Sequence, residues 1–135
     1  MTKKNVTLPG DRHPAIKLVA MPKDSNGGGS VFGGWIMANV DMAGSIPAVE
    51  RARGRVATVA VNSFEFHEPV LVGDVVSYFA EVIKTGRSSI TIKVEVYAER
   101  NPVDKETIKV TEAELTYVAL DENRVPRQLP DLETV

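Results

Sequence analysis

The chain has 135 residues, 43% of them hydrophobic and 25% charged, and a formal net charge of −2. That length supports one domain with a core of useful size, and the near-neutral balance argues against nucleic acid as a partner. There is no cysteine, which excludes disulfides, thiolate metal sites and cysteine nucleophiles together.

The N-terminal stretch MTKKNVTLPGDRHP has no apolar run after its lysines, so it reads as neither a secretory signal nor a membrane anchor. No apolar run approaches the ~18 residues of a spanning helix, and a soluble, cytoplasmic protein with no membrane partner is expected. Residues 1–14 are polar and hold Pro9, Gly10 and Pro14, which predicts a loose arm. Residues 16–21 form a short apolar run, ended by Pro22, and predict a first strand. The stretch KDSNGGGS, residues 23–30, is a glycine-rich connection whose backbone can approach other groups closely.

A helix is predicted from Gly33 or Gly34 to about Arg53. Trp35, Ile36, Met37, Val40, Ala43, Ile46 and Val49 recur at helical spacing with small residues between them, which predicts deep burial. Arg51 and Arg53 suit the negative end of its dipole and Gly54 can close it. Pro47 removes one internal hydrogen bond and predicts a kink or an early end. Strands follow at 56–61, 75–83, 89–98 and 108–120, the middle pair forming a hairpin around Thr85-Gly86-Arg87-Ser88. In 89–98 strict alternation predicts a half-buried antiparallel strand. The tail from about 121 is polar and reads as irregular. An antiparallel sheet around one central helix accounts for this inventory, and edge pairing into a dimer would protect the open sheet edge.

Asp41 is the sharpest chemical signal. It lies mid-helix among Val40, Met42, Ala43 and Ile46, where a carboxylate is costly and its usual justification is chemistry; the bland alternative is a solvent stripe with Asn39 and Ser45. Gly33 and Gly34 place unshielded N–H groups at the helix start, suited to a carbonyl or oxyanion, or they form a plain cap. Asn26 can position a water or a carbonyl, or simply shape a turn. The Gly86-Arg87-Ser88-Ser89 turn offers N–H groups, two hydroxyls and a guanidinium to a phosphate. Lys84, Arg51, Arg53 and Arg55 are further phosphate candidates. His13 and His67 show neither metal-ligand spacing nor a Ser-His-Asp order and read as surface residues. Trp35, Met37, Phe64 and Phe66 belong to the core or to the floor of a pocket.

Together, MPKDSNGGGSVFGGWIMANVDMAG, FHEPVLVGD, KTGRSSITIKVEVY and TEAELTYVALDENRVPRQLP resemble, in that order, the short bacterial acyl-CoA thioesterases of the hotdog fold, the YciA-like type. The resemblance runs from about Ile16 to Pro130. It implies one α+β hotdog domain over 1–135, a curled antiparallel sheet of about five to six strands wrapped around one long central helix. It implies hydrolysis of acyl-CoA to coenzyme A and a carboxylate at a site shared between subunits, with no metal and no cofactor beyond the coenzyme A of the substrate. Subunits would pair as homodimers and further as trimers of dimers. By resemblance Asp41 is the catalytic carboxylate and Asn26, from the opposite subunit, positions the water or thioester. The Gly34 N–H polarises the carbonyl. Gly86, Arg87, Ser88 and Ser89 border coenzyme A, and Thr58 falls near the site. A non-hydrolytic acyl-CoA sensor of the same fold is the rival reading. Gly28-Gly29-Ser30 stands where relatives carry an Asn-Gly-Asp-like stretch, and Pro47 replaces an aliphatic helix residue.

Overall fold

The computed structural model describes residues 5–132. Five strands and one long helix follow in the order β1 (Ile16–Val19), α1 (Gly33–Ala52), β2 (Val56–Phe66), β3 (Val75–Thr85), β4 (Ser89–Arg100) and β5 (Glu106–Ala119). The strands form one antiparallel sheet in the spatial order β1-β3-β4-β5-β2. The helix packs on one face of it, so the fold is α+β.

The largest departure from the sequence-based boundaries has a local cause. Strand β2 continues to Phe66, five residues past the predicted end, because register shifts between Thr58 and Ala60 and between Val61 and Ser63 interrupt its two-residue alternation. Strand β1 stops at Val19. A single 3-10 turn, Pro22–Asp24, follows, its start closed by the Met21 N–H donating to Asp24 Oδ2 at 2.9 Å. The β3–β4 hairpin closes with the Gly86 N–H on the Ser89 carbonyl at 2.9 Å.

Helix α1 runs through Pro47 to Ala52, so the proline does not end it early. The left-handed residue that terminates it is Arg53, at φ 53°, rather than Gly54. Gly54 instead lies under the Arg127 side chain: a Cβ there would stand 2.8 Å from Arg127 Nη2. That guanidinium donates to the Ala52 carbonyl at 2.8 Å and so satisfies one of the open carbonyls of the last turn. Arg51 donates to the Pro130 carbonyl at 2.8 Å.

Burial of α1 is one-sided, unlike the deep burial predicted. Ile36, Asn39, Val40, Ala43, Gly44, Ala48 and Ala52 face the sheet, while Met37, Met42, Ile46 and Val49 are exposed. The core lies between that small-residue face and Val76, Tyr78, Ile90, Ile92, Val94, Val96, Leu115 and Tyr117 of β3, β4 and β5.

The opposite face of the sheet is covered where a solvated surface was predicted. Of the arm read from the sequence, residues 1–4 lie outside the described residues; in the rest, the Val6 N–H donates to the Thr107 carbonyl at 3.0 Å, and Asn5 Oδ1 accepts from the Thr107 N–H at 2.7 Å. Arg12 reaches Glu81 at 2.7 Å and Glu95 at 2.5 Å and lies 5.5 Å from the centroid of the Phe79 ring. As a result Thr91, Glu95 and Tyr97 of β4, on the side away from the helix, are buried too. Residues 121–132 run against the fold: Leu129 is buried, and its N–H donates to the Arg87 carbonyl at 2.8 Å.

Burial pushes the Glu95 carboxyl up, but hydrogen bonds from Arg12 and Lys109 outweigh it and hold the group below the usual carboxylate range. A lowered folded value contributes stability above the unfolded one, lost as pH falls through the folded value. Stability is therefore expected to decline below about pH 4.3. Arg12→Leu is expected to lower stability at pH 7 by about 1–2 kcal/mol in urea titrations and to show a shallower acid decline.

Candidate active site

Asp41 stands in the middle of α1, half-buried, at the margin where the helix passes over β2 and β5. Its Oδ1 accepts from Thr58 Oγ1 on β2 at 2.6 Å and lies 3.1 Å from the Tyr117 hydroxyl on β5. The same hydroxyl donates to the Asp41 backbone carbonyl at 2.8 Å. Among the described residues, Oδ2 has no hydrogen-bond partner. One carboxylate oxygen is thus held by Thr58 beside the Tyr117 hydroxyl, and the other is open.

Register explains how strands distant in sequence reach one carboxylate. Thr58 pairs with Tyr117, and Tyr117 pairs with Ile90 on its other side, so the three lie in one row across β2, β5 and β4. Close approach of the phenol to the helix depends on Gly44, where any Cβ would collide with the Tyr117 hydroxyl. Burial pushes the Tyr117 phenol up, and the neighbouring Asp41 carboxylate pushes it further. It remains a protonated donor across the range in which a carboxylate works as a base.

Of the residues singled out from the sequence, the structure brings Asp41 and Thr58 together. Thr58 contacts the carboxylate itself. The Gly86-Arg87-Ser88-Ser89 turn begins one position beyond the Thr58–Tyr117–Ile90 row, since Ser89 pairs with Val118 and Val118 with Ala57. At two strand spacings it is about 10 Å from Thr58. Arg87 is exposed there. Asn26 is exposed and engaged within its own loop, donating to Ser30 Oγ at 3.1 Å and accepting from the Gly28 N–H at 2.8 Å.

Gly34 is exposed at the helix start, with nothing within 4 Å of where a Cβ would stand. The first N–H groups of a helix have no partner within it, so this backbone is open to a carbonyl oxygen. Beside it lies a cleft of about 380 Å³ lined by Val31, Gly33, Ile36, Phe66, Pro69 and Val70, among others. The Phe66 ring stands 3.3 Å from where a Gly33 Cβ would be. Gly34 and Asp41 are seven residues apart, which puts them on similar faces but about 10 Å apart along the axis. A carbonyl held by the Gly34 N–H is beyond the reach of the Asp41 carboxylate of the same chain.

The sequence reading missed Tyr117 and Gly44. Tyr117 alternates with its neighbours like any core residue of a strand, and Gly44 is one of several small residues of α1. The combination of a mid-helix acid with a glycine three positions on was the one available signal that another element comes close. Phe64 and Trp35 pack against the core, whereas Met37 and Phe66 are exposed. His13 and His67 are exposed. No helix among the described residues is long and apolar enough to cross a membrane.

Comparison with known proteins gives the arrangement its context. The profile of the thioesterase superfamily matches residues 28–104, from the glycine-rich loop through the helix to the end of β4. The acyl-CoA thioester hydrolase YciA of Salmonella typhimurium is 44% identical over 118 residues, covering 85% of this chain and 88% of that protein. The hexameric thioesterase y2039 of Yersinia pestis superposes with a TM-score of 0.83 at 47% identity, covering 92% of this chain and 99% of the other. HI0827, a hexameric broad specificity acyl-coenzyme A thioesterase, gives a TM-score of 0.85 at 44% identity over 98% of this chain and 90% of its own. With its profile match, its hotdog fold and these relatives, the chain belongs to the thioesterase superfamily, among the YciA-type acyl-CoA thioester hydrolases.

Proposed function

We propose that the protein hydrolyses acyl-CoA to coenzyme A and a carboxylate, with Asp41 as the reacting carboxylate. The observation that carries this reading is the state of that side chain: one oxygen held by Thr58 and near the Tyr117 hydroxyl, the other open. In the base route, Oδ2 takes a proton from water and the hydroxide adds to the thioester carbonyl. The C–S bond then breaks, and the leaving thiolate recovers the proton from the Asp41 carboxyl. In the nucleophilic route, Asp41 adds to the carbonyl itself and the C–S bond breaks, expelling the coenzyme A thiolate; water then cleaves the mixed anhydride, releasing the carboxylate, regenerating Asp41 and supplying the proton that the thiolate takes up. Coenzyme A enters as part of the substrate, and neither route calls on a metal or a further cofactor.

The site is read as shared between two subunits. The distance between Gly34 and Asp41 within one helix supports this, because each would have to act on one carbonyl. Asn26 and Gly34 of one chain would meet the thioester that Asp41 of its partner attacks, and Gly86, Arg87, Ser88 and Ser89 would border the coenzyme A. Met37, Met42, Ile46 and Val49 on α1 and Val59 and Val61 on the β2 edge form an exposed apolar surface around Asp41. Such a surface favours burial against a second copy. A homodimer is proposed, with trimers of dimers as in the hexameric relatives, and the whole chain is read as one hotdog domain.

Thiol release from short-, medium- and long-chain acyl-CoAs tests the reaction. Asp41→Asn is expected to lower kcat by about 10²–10⁴-fold while the oligomer persists. A folded wild-type protein that binds acyl-CoA without turnover would instead be a sensor. Thr58→Val is expected to cost about tenfold in kcat, since it removes a hydrogen bond to a charged group. Subunit sharing is tested by refolding Asp41→Asn with Asn26→Ala. Random pairing restores one intact site in mixed dimers, so about a quarter of wild-type activity is expected, whereas a site within one chain would recover none.

A further inference from the structure

We propose that Tyr117 is a positioning residue of the hydrolytic site, one that ties residue 41 to the sheet and so holds the Asp41 carboxylate in its working orientation. This rests on the thioester-hydrolase reading above and adds a residue to it.

Three observations converge on the phenol. It is fully buried, yet its hydroxyl is spent on residue 41, at 2.8 Å from the backbone carbonyl and 3.1 Å from Oδ1. It has one proton and two acceptors on the same residue, so either choice fixes Asp41 relative to the sheet. Second, Thr58 Oγ1 approaches the same Oδ1 at 2.6 Å, from the strand that pairs with Tyr117. The two hydroxyls converge on one side of the carboxylate and leave Oδ2 for the reaction. Third, the helix has made room: Gly44 is buried against the hydroxyl with no space for a methyl group. A tyrosine whose ring only filled the core would need neither the glycine nor the acid.

The electrostatics around the pair are simple. From β2 the facing group is Thr58, from β4 the paired residue is Ile90, and on α1 the adjacent turns carry Met37, Ala38, Met42 and Ser45. Asp41 is the one charge acting on the phenol among the described residues. A carboxylate that loses its orientation reacts more slowly while the substrate binds as before, so loss of the Tyr117 hydroxyl has a signature in kcat against KM that loss of packing lacks.

The test is Tyr117→Phe, assayed for acyl-CoA hydrolysis as kcat and KM separately, with unfolding and oligomeric state measured in parallel. The expected result is a fall in kcat of about tenfold, with KM within about twofold. Wild-type kcat would overturn the inference. So would a lower melting temperature with unchanged kinetics, because the hydroxyl would then merely brace the helix. If Tyr117→Phe does not fold, Gly44→Ala keeps the hydroxyl but forces it away from Asp41, and the same fall in kcat at near-constant KM is expected; wild-type kcat there overturns the inference. Absence of turnover by the wild-type protein would defeat the hydrolase reading itself, whereas turnover that ignores Tyr117 defeats this inference alone.

Discussion

A helix lies close to a sheet only where the side chains between them are small, and that constraint governs this molecule. Ala43, Gly44, Ala48 and Ala52 form the contact stripe of α1, and opposite them the sheet presents larger residues, Tyr117 included. Gly44 is the tightest point, since its missing side chain is the space the Tyr117 hydroxyl occupies. Asp41 lies nearly one turn earlier on the same helix, so this packing contact also sets where its carboxylate stands. Stability and site geometry share one interface, and a methyl group added at Gly44 would disturb both.

The same packing leaves the rest of the helix uncovered. A single sheet buries one side of α1, and the other side carries apolar residues together with Asp41 and the open helix start. In an isolated chain that is an unfinished surface. On the proposed roles of Gly34 and Asp41, their spacing along one helix asks for a second subunit, because two groups about 10 Å apart on one axis cannot converge on one carbonyl. Assembly then has two consequences in the proposed scheme: it removes apolar surface from water, and it brings an acid and an open N–H from different helices to the same substrate.

Two further segments brace the sheet, one on its far face and one beside the helix. Residues 5–14 run across the strands and place Arg12 between Glu81, Glu95 and the Phe79 ring. The tail crosses between the β3–β4 turn and the end of α1, through Arg127 on Ala52 and Leu129 on Arg87. That second strap bears on the site: the turn proposed to border coenzyme A is held from behind by the Leu129 N–H. The backbone of the loop is fixed while Arg87 stays exposed, an arrangement suited to a ligand that is gripped by charge and released again.

Much of this was legible from the residues alone. The 3.6-residue repeat of α1 and the alternation of β4 are local patterns, and local patterns survive the loss of tertiary context. Asp41 was legible because a carboxylate among small apolar helix residues needs a reason. The ordered motifs from Asn26 to the Gly86–Ser89 turn pointed to the family. What the chain alone did not reveal depends on contacts across long separations. The bulges of β2 hid its last five residues from a period-two reading. The polar arm gave no sign that Arg12 would find Glu95, 83 positions away. Tyr117 reads as one more buried strand residue until β2, β5 and α1 are assembled. Sequence by itself determined the elements, the acid and the family, because each is written in neighbouring residues. The tertiary structure decided which donors hold that acid, because strand register and a missing side chain at Gly44 bring together residues 76 positions apart.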